Sequence, residues 1–140
     1  MKKEMVLFLF ILLMACSNNT VIDDNSPVPS RENGITREIS KVTVTPGEEV
    51  TVNLYVEILP NQTYYLAEEK VPKEIQVLDG QPDKDNVLKI IKIQDVKSTV
   101  ISYRIKAPDT PGTYTFTGEY AVDGMKDPVE IMGSNTLFVQ

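Results

Sequence analysis

The chain has 140 residues, one Cys, no His, no Trp and a formal net charge of −6, a length that suits one domain. The acidic balance, with Lys side chains scattered among acids, excludes nucleic-acid binding, which needs clustered Lys and Arg against phosphate. Without His, and with a single Cys, there is no Ser/His/Asp or Cys/His catalytic set and no usual zinc ligand set.

At the start, Lys2 and Lys3, diluted by Glu4, precede the apolar run MVLFLFILLM at 5–14. A bilayer-spanning helix needs about twenty apolar residues, so this run matches the hydrophobic core of a secretory signal instead. It ends in Leu13-Met14-Ala15-Cys16-Ser17. That stretch resembles a bacterial lipobox, with Met14 departing from its commonest pattern. The resemblance implies cleavage before Cys16, acylation of its thiol and of the new N-terminus, and so a palmitate-type anchor. More than one acyl chain suffices for stable anchoring. Residues 1–15 are then the signal peptide, and loss of Lys2, Lys3 and Glu4 takes the formal charge to −7. With Cys16 acylated, no disulfide can form within the chain, so packing must carry stability.

Residues 16–34 comprise the lipidated N-terminus and a tether rich in Asn, Ser, Asp and Pro (SNNTVIDDNSPVPSREN). Such composition cannot bury enough surface to offset its ordering entropy and is expected to be disordered, with a span of roughly 20–25 Å. From residue 35 the pattern becomes β. Residues 35–44 are rich in β-branched side chains, and Thr45-Pro46-Gly47-Glu48 is a turn. Then Val50, Val52, Leu54, Val56 and Ile58 alternate on one face, a strong strand signal. Pro60-Asn61-Gln62 breaks it. Further strands are expected near 63–72, although Ala67-Glu68-Glu69-Lys70 alone would suit a helical turn, then over 74–80, 87–93, 99–108 and 112–122, and from 129 to 140, with a bend at Gly133. No amphipathic helix follows the signal. Seven or eight short strands separated by turn residues predict an all-β domain over 35–140.

Three phrases carry a family resemblance: TVTPGEEVTVNLYVEI at 43–58, YYLAEEKVPKEIQV at 64–77 and TVISYRIKAPDTPGTYTFTGEYAVDG at 99–124. They resemble immunoglobulin-like or fibronectin type III-like modules of secreted and cell-surface proteins. The resemblance implies a two-sheet antiparallel immunoglobulin-like sandwich of about seven strands. The Cys and Trp of antibody domains are missing.

The closing phrase GTYTFTGEYAVDGMKDPVEIMG at 112–133 also resembles the end of cupredoxins. A blue-copper site needs two His and a Cys thiolate. Gly118 stands where that Cys would be, and there is no His, so the phrase is expected to be core strand and turn. Glu68 and Glu69 are adjacent, face opposite ways in a strand, and are expected on a solvated edge or loop. Asp79, Asp83 and Asp85 fall in a loop that invites a calcium test. Lys84 among them and the spacing of the acids favour turn chemistry. Asp123 and Asp127, around Gly124, are similarly turn-like. The six tyrosines are candidates for an exposed aromatic row that stacks on sugars or a partner, or for positions at the core edge. Asn61-Gln62-Thr63 fits a glycosylation sequon.

The expected function is that of a lipid-anchored protein of the cell envelope, on the outer membrane or cell surface. It carries a non-catalytic binding or structural module and needs no cofactor or metal. Its partners would be the membrane, through Cys16, and an envelope protein or polysaccharide. Contact would run through sheet edges or through the loops bearing Asn61, Gln62, Thr63, Asp79, Asp83 and Asp85. The alternative is a secreted protease inhibitor that uses the loops 61–63 and 80–86. The anchor is tested by intact mass and membrane partition of the full chain beside a Cys16→Ser variant. Acyl mass and sedimentation with membranes are expected for the natural chain alone; a soluble, unacylated natural chain would refute the anchor.

Overall fold

The computed structural model describes residues 32–140. The signal segment 1–15, Cys16 and all but the last residues of the tether lie outside the described residues. Among the described residues there are twelve short strands and no helix. They are β1 (Gly34–Ile39), β2 (Thr43–Val44), β3 (Glu49–Glu57), β4 (Tyr64–Lys70), β5 (Gln76–Val77) and β6 (Val87–Ile93). The remainder are β7 (Thr99–Lys106), β8 (Gly112–Thr115), β9 (Thr117–Val122), β10 (Val129–Glu130), β11 (Met132–Gly133) and β12 (Thr136–Val139).

One sheet has the order β11-β1-β3-β7-β5, a second β10-β9-β4-β6, and a small third β2-β12-β8. The ladders are antiparallel except for two short pairs, β1 with β11 and β2 with β12. The expected antiparallel sandwich is therefore present, trimmed by two parallel contacts. The alternation read from the sequence sets its core. Val50, Val52, Leu54 and Val56 point inward from β3, Ile35 and Ile39 from β1, and Tyr65 and Ala67 from β4, all buried. They meet Tyr120 and Val122 of β9 and Ile105 of β7 in one apolar cluster. Ile58, the last residue of the expected row, only packs against its margin. The predicted turn at 45–48 forms, with the Glu48 N–H donating to the Thr45 carbonyl at 3.1 Å. Gly47 there has φ 75°, as a Pro-Gly turn of this kind requires.

Several expected strands are broken because the chain changes sheets. Residues 112–122 divide at Phe116, so that β8 pairs with β12 while β9 pairs with β4. Phe116 is buried, and its N–H donates to the Asn135 carbonyl at 2.7 Å. It therefore lies between two ladders and not within one pleat. Residues 129–140 likewise divide into β10, β11 and β12.

The interior also holds an ion pair, and here the sequence expectation fails. Glu69 does face opposite to Glu68, but it is fully buried rather than solvated. Arg37 of β1 reaches across the sandwich to it, Nε to Oε1 at 2.6 Å and Nη2 to Oε2 at 2.7 Å. The Tyr103 hydroxyl of β7 donates to Oε1 at 2.8 Å. Arg37 Nη1 donates to the Ser134 carbonyl at 3.4 Å, and the guanidinium lies 5.8 Å from the Phe116 ring centroid. Both carboxylate oxygens are thus occupied by a planar two-pronged donor plus a phenol, an arrangement that offsets desolvation of buried charge. Burial, and then the Glu69 charge, pushes the Tyr103 phenol well above its ordinary range.

Gly118 makes room for this pair, and Gly133 lets β11 lie close against the backbone of β1. A methyl at Gly118 would stand 2.8 Å from the Glu68 carbonyl, from Glu69 Oε2 and from Ile131 Cδ1. Gly133, at φ 95°, lies directly against the Arg37 carbonyl, where no Cβ fits.

Denaturant unfolding checks both points. Glu69→Gln or Arg37→Met alone is expected to cost about 3–5 kcal/mol, because each strands a buried charge. The triple change Arg37→Met, Glu69→Leu, Tyr103→Phe is expected to recover most of that loss. Equal destabilisation by single and triple changes would refute this account. Gly118→Ala is expected to cost about 1–3 kcal/mol by overpacking. By contrast, a methyl at Gly34 would meet nothing within 4 Å, and Gly34→Ala should cost under about 1 kcal/mol.

Candidate functional site

With Glu69, Ala67 and Tyr65 turned inward, Tyr64, Leu66, Glu68 and Lys70 of β4 necessarily face out. Pairing with β6 and β9 orders this outer face into rows. Tyr64 stands opposite Ile93, and Leu66 stands opposite Ile91 on one side and Ala121 on the other. Glu68 stands opposite Lys89 and Glu119, and Glu119 opposite Glu130. One end of the face is therefore apolar and the other charged. The charged end forms a shallow depression of about 650 Å³ lined by Glu68, Lys70, Lys73, Asp85, Glu119 and Glu130. At the apolar end Ile91 and Ile93 are 64% and 67% exposed, the two most exposed isoleucines among the described residues, and Tyr64 is 40% exposed.

β6 is also a sheet edge. The other edge strands are β10, β11, β5, β2 and β8, of two to four residues each, while β6 has seven; β5 covers only the end of β7, so that strand is open over Thr99–Tyr103 as well. Beside β6 a groove of about 390 Å³ opens toward the interior, lined by Leu88, Ile90, Ile101 and Tyr103 among others. Native proteins usually shorten or cover such an edge. Here Lys89 and Lys92 are the charged residues on it.

The sequence-predicted contact loops fall at opposite ends of β6. Asn61, with φ 73°, Gln62 and Thr63 lead into β4 at the apolar end. The Thr63 carbonyl accepts the Gln94 N–H at 3.0 Å, and its hydroxyl donates to Asp123 at 2.6 Å. Asp79, Asp83 and Asp85 lie beyond the other end, and their carboxylates are engaged within the domain. Asp79 accepts from Arg104 Nε at 2.8 Å and Nη2 at 3.1 Å, bonds that hold its carboxyl below the usual range. Asp83 Oδ1 accepts the N–H groups of Val87 at 3.1 Å and Asp85 at 2.8 Å, which lower its pKa in the same way. Asp85 accepts from Lys73 at 3.3 Å. This is turn chemistry, and among the described residues no three His, Cys, Asp or Glu side chains converge as a metal site.

The tyrosines do not form one row. Tyr65, Tyr103 and Tyr120 are buried. Tyr114 donates to the Thr110 carbonyl at 2.7 Å. Tyr55 and Tyr64 are exposed on different sheets, Tyr55 donating to Glu38 at 2.6 Å. Reasoning from sequence missed Ile91 and Ile93. Their signal was the unbroken pair Ile90-Ile91, which in a strand must send one isoleucine to each face.

No protein-family model matches the chain, and no curated protein matches it. Solved structures do share its fold. A chain of a type II cohesin–X–dockerin complex from Acetivibrio cellulolyticus superposes with a TM-score of 0.57 at 10% identity, covering 78% of this chain and 100% of that one. A non-cellulosomal cohesin from the archaeon Archaeoglobus fulgidus gives 0.53 at 13%, covering 76% and 91%. The human F-spondin reeler domain gives 0.50 at 15%, covering 79% and 97%. The described domain therefore has a β-sandwich fold resembling cohesin and reeler domains.

Proposed function

We propose that the chain is a non-catalytic binding module of the cell envelope, tethered through lipid on Cys16, that docks a protein partner on the apolar end of its four-stranded sheet. The observation that carries this reading is the outward group Tyr64, Leu66, Ile91 and Ile93, gathered at one end of one face beside an open edge. Apolar side chains so concentrated mark interaction surfaces more often than scattered ones do. A cohesin–dockerin complex is one instance of this fold in a protein–protein assembly.

The chemistry supports binding over catalysis. Glu69, the one fully buried carboxylate described, is saturated by Arg37 and Tyr103. A protein suits the face better than a polysaccharide, because Tyr64 is the only aromatic in the group and offers no stacking platform. The inhibitor alternative is less well supported, since Asp79, Asp83 and Asp85 are spent on bonds within the domain. The loop 61–63 borders the docking face and belongs to its rim.

A photo-cross-linking side chain placed at Tyr64 of the full chain in its native envelope tests the reading. One discrete adduct with a different polypeptide, of a mass other than twice the chain's, is expected, competed by unlabelled chain and weakened by Ile93→Asp. The same group at Thr51, on the outer face of the other sheet, should give none. Absence of an adduct at Tyr64, or the same adducts from both positions, would overturn the proposal.

A further inference from the structure

The free edge of β6 has a self-complementary register. Two flanking bonds fix which backbone groups point away from β4. The Val71 N–H donates to the Asn86 carbonyl at 3.1 Å, and the Gln94 N–H to the Thr63 carbonyl at 3.0 Å. Hydrogen-bonded positions alternate along an antiparallel strand, so even-numbered residues of β6 bond to β4 and odd-numbered ones face the open edge. Val87 agrees, since its N–H and carbonyl are taken by Asp83 at 3.1 Å and 3.0 Å. That leaves the backbone groups of Lys89, Ile91 and Ile93 for another strand. Beyond them the chain turns away at Gln94 and Asp95, with φ 64° and 45°.

We propose that a second copy of this chain pairs antiparallel along β6, with the two-fold axis at Ile91. That register places Lys89 opposite the partner's Ile93 and Lys92 opposite the partner's Ile90. No lysine faces a lysine, on either side of the sheet, and each lysine stem lies along an isoleucine. Centring on Lys89 would oppose like charges, which is unfavourable. Centring on Ile93 would draw Asp95 into the ladder, where its backbone is not extended. With Ile91 central, Val87, already capped by Asp83, falls opposite the partner's Asp95, where the strand has ended. The paired window is thus the free window, and it supplies about six backbone hydrogen bonds.

Side chains agree with the backbone. The row through Ile91 is Ala121, Leu66, Ile91, and the two-fold continues it as an unbroken apolar row across two four-stranded sheets. The long edge is removed, and the two most exposed isoleucines gain a neighbour. The pairing is independent of the docking reading and would set two docking faces side by side.

Ile91→Cys in a full chain carrying Cys16→Ser tests the register. Paired Cα atoms at the axis stand about 5.5 Å apart, within the roughly 4.4–6.8 Å that a disulfide spans. Rapid oxidation to a covalent dimer is expected, against none for Val100→Cys, an exposed position on the other sheet. Sedimentation of the Cys16→Ser chain should show a concentration-dependent dimer, and Ile91→Lys should raise its dissociation constant about tenfold or more. A monomer at every concentration, oxidation no faster than at Val100, or a dimer indifferent to Ile91→Lys would overturn the proposal. In the Tyr64 cross-linking experiment, an adduct of doubled chain mass belongs to this dimer, and any other mass to a docking partner.

Discussion

The salt bridge between Arg37 and Glu69 ties the two main sheets together and sets the orientation of β4. Removing two charges from water costs several kcal/mol per ion even after relaxation. The arrangement is stable only because both carboxylate oxygens and three guanidinium nitrogens have partners. The demand spreads outward. Phe116 must leave the ladder to lie beside the guanidinium, Ser134 must turn its carbonyl inward, and Gly118 must remain without a side chain. The strand breaks at 116 and 131–135 therefore belong to the same device as the ion pair.

Fixing Glu69 inward fixes what faces out. Side-chain direction alternates along a strand, so a one-residue slip of β4 would bring Tyr64, Leu66 and Glu68 inside and expose Tyr65, Ala67 and the buried carboxylate. Apolar slippage alone would be a modest penalty here, because β4 carries apolar residues on both faces. The charge makes the register unambiguous. In this sense the polar interior specifies the apolar exterior on which the proposed docking depends.

The outer face is divided by charge. Glu130, Glu119 and Glu68 stand in one row, with Lys89 at its end, and like charges directly opposite one another are unfavourable. In the next row of that face, Leu66 and Ile91 are free of charge. A face that is charged at one end and apolar at the other disfavours indiscriminate sticking while leaving one patch for a specific surface. The lysines of β6 serve the same end, guarding the edge against strands of arbitrary sequence.

Much of this was legible in local pattern. Period-two alternation in 50–56 identifies the central strand because a half-buried pleat requires it, and Pro46-Gly47 identifies its turn because Gly supplies the positive φ. Absence of His bounds the chemistry, since side chains that are not there cannot act. Tertiary structure alone decided the rest. Glu69 looks like any strand carboxylate until Arg37, thirty-two positions away, and Tyr103, thirty-four away, converge on it. Likewise no local rule says whether Ile90 or Ile91 faces out, or that β6 ends a sheet. Both follow from long-range pairing, whose partners the sequence does not name and whose energy is gained only when the sandwich closes.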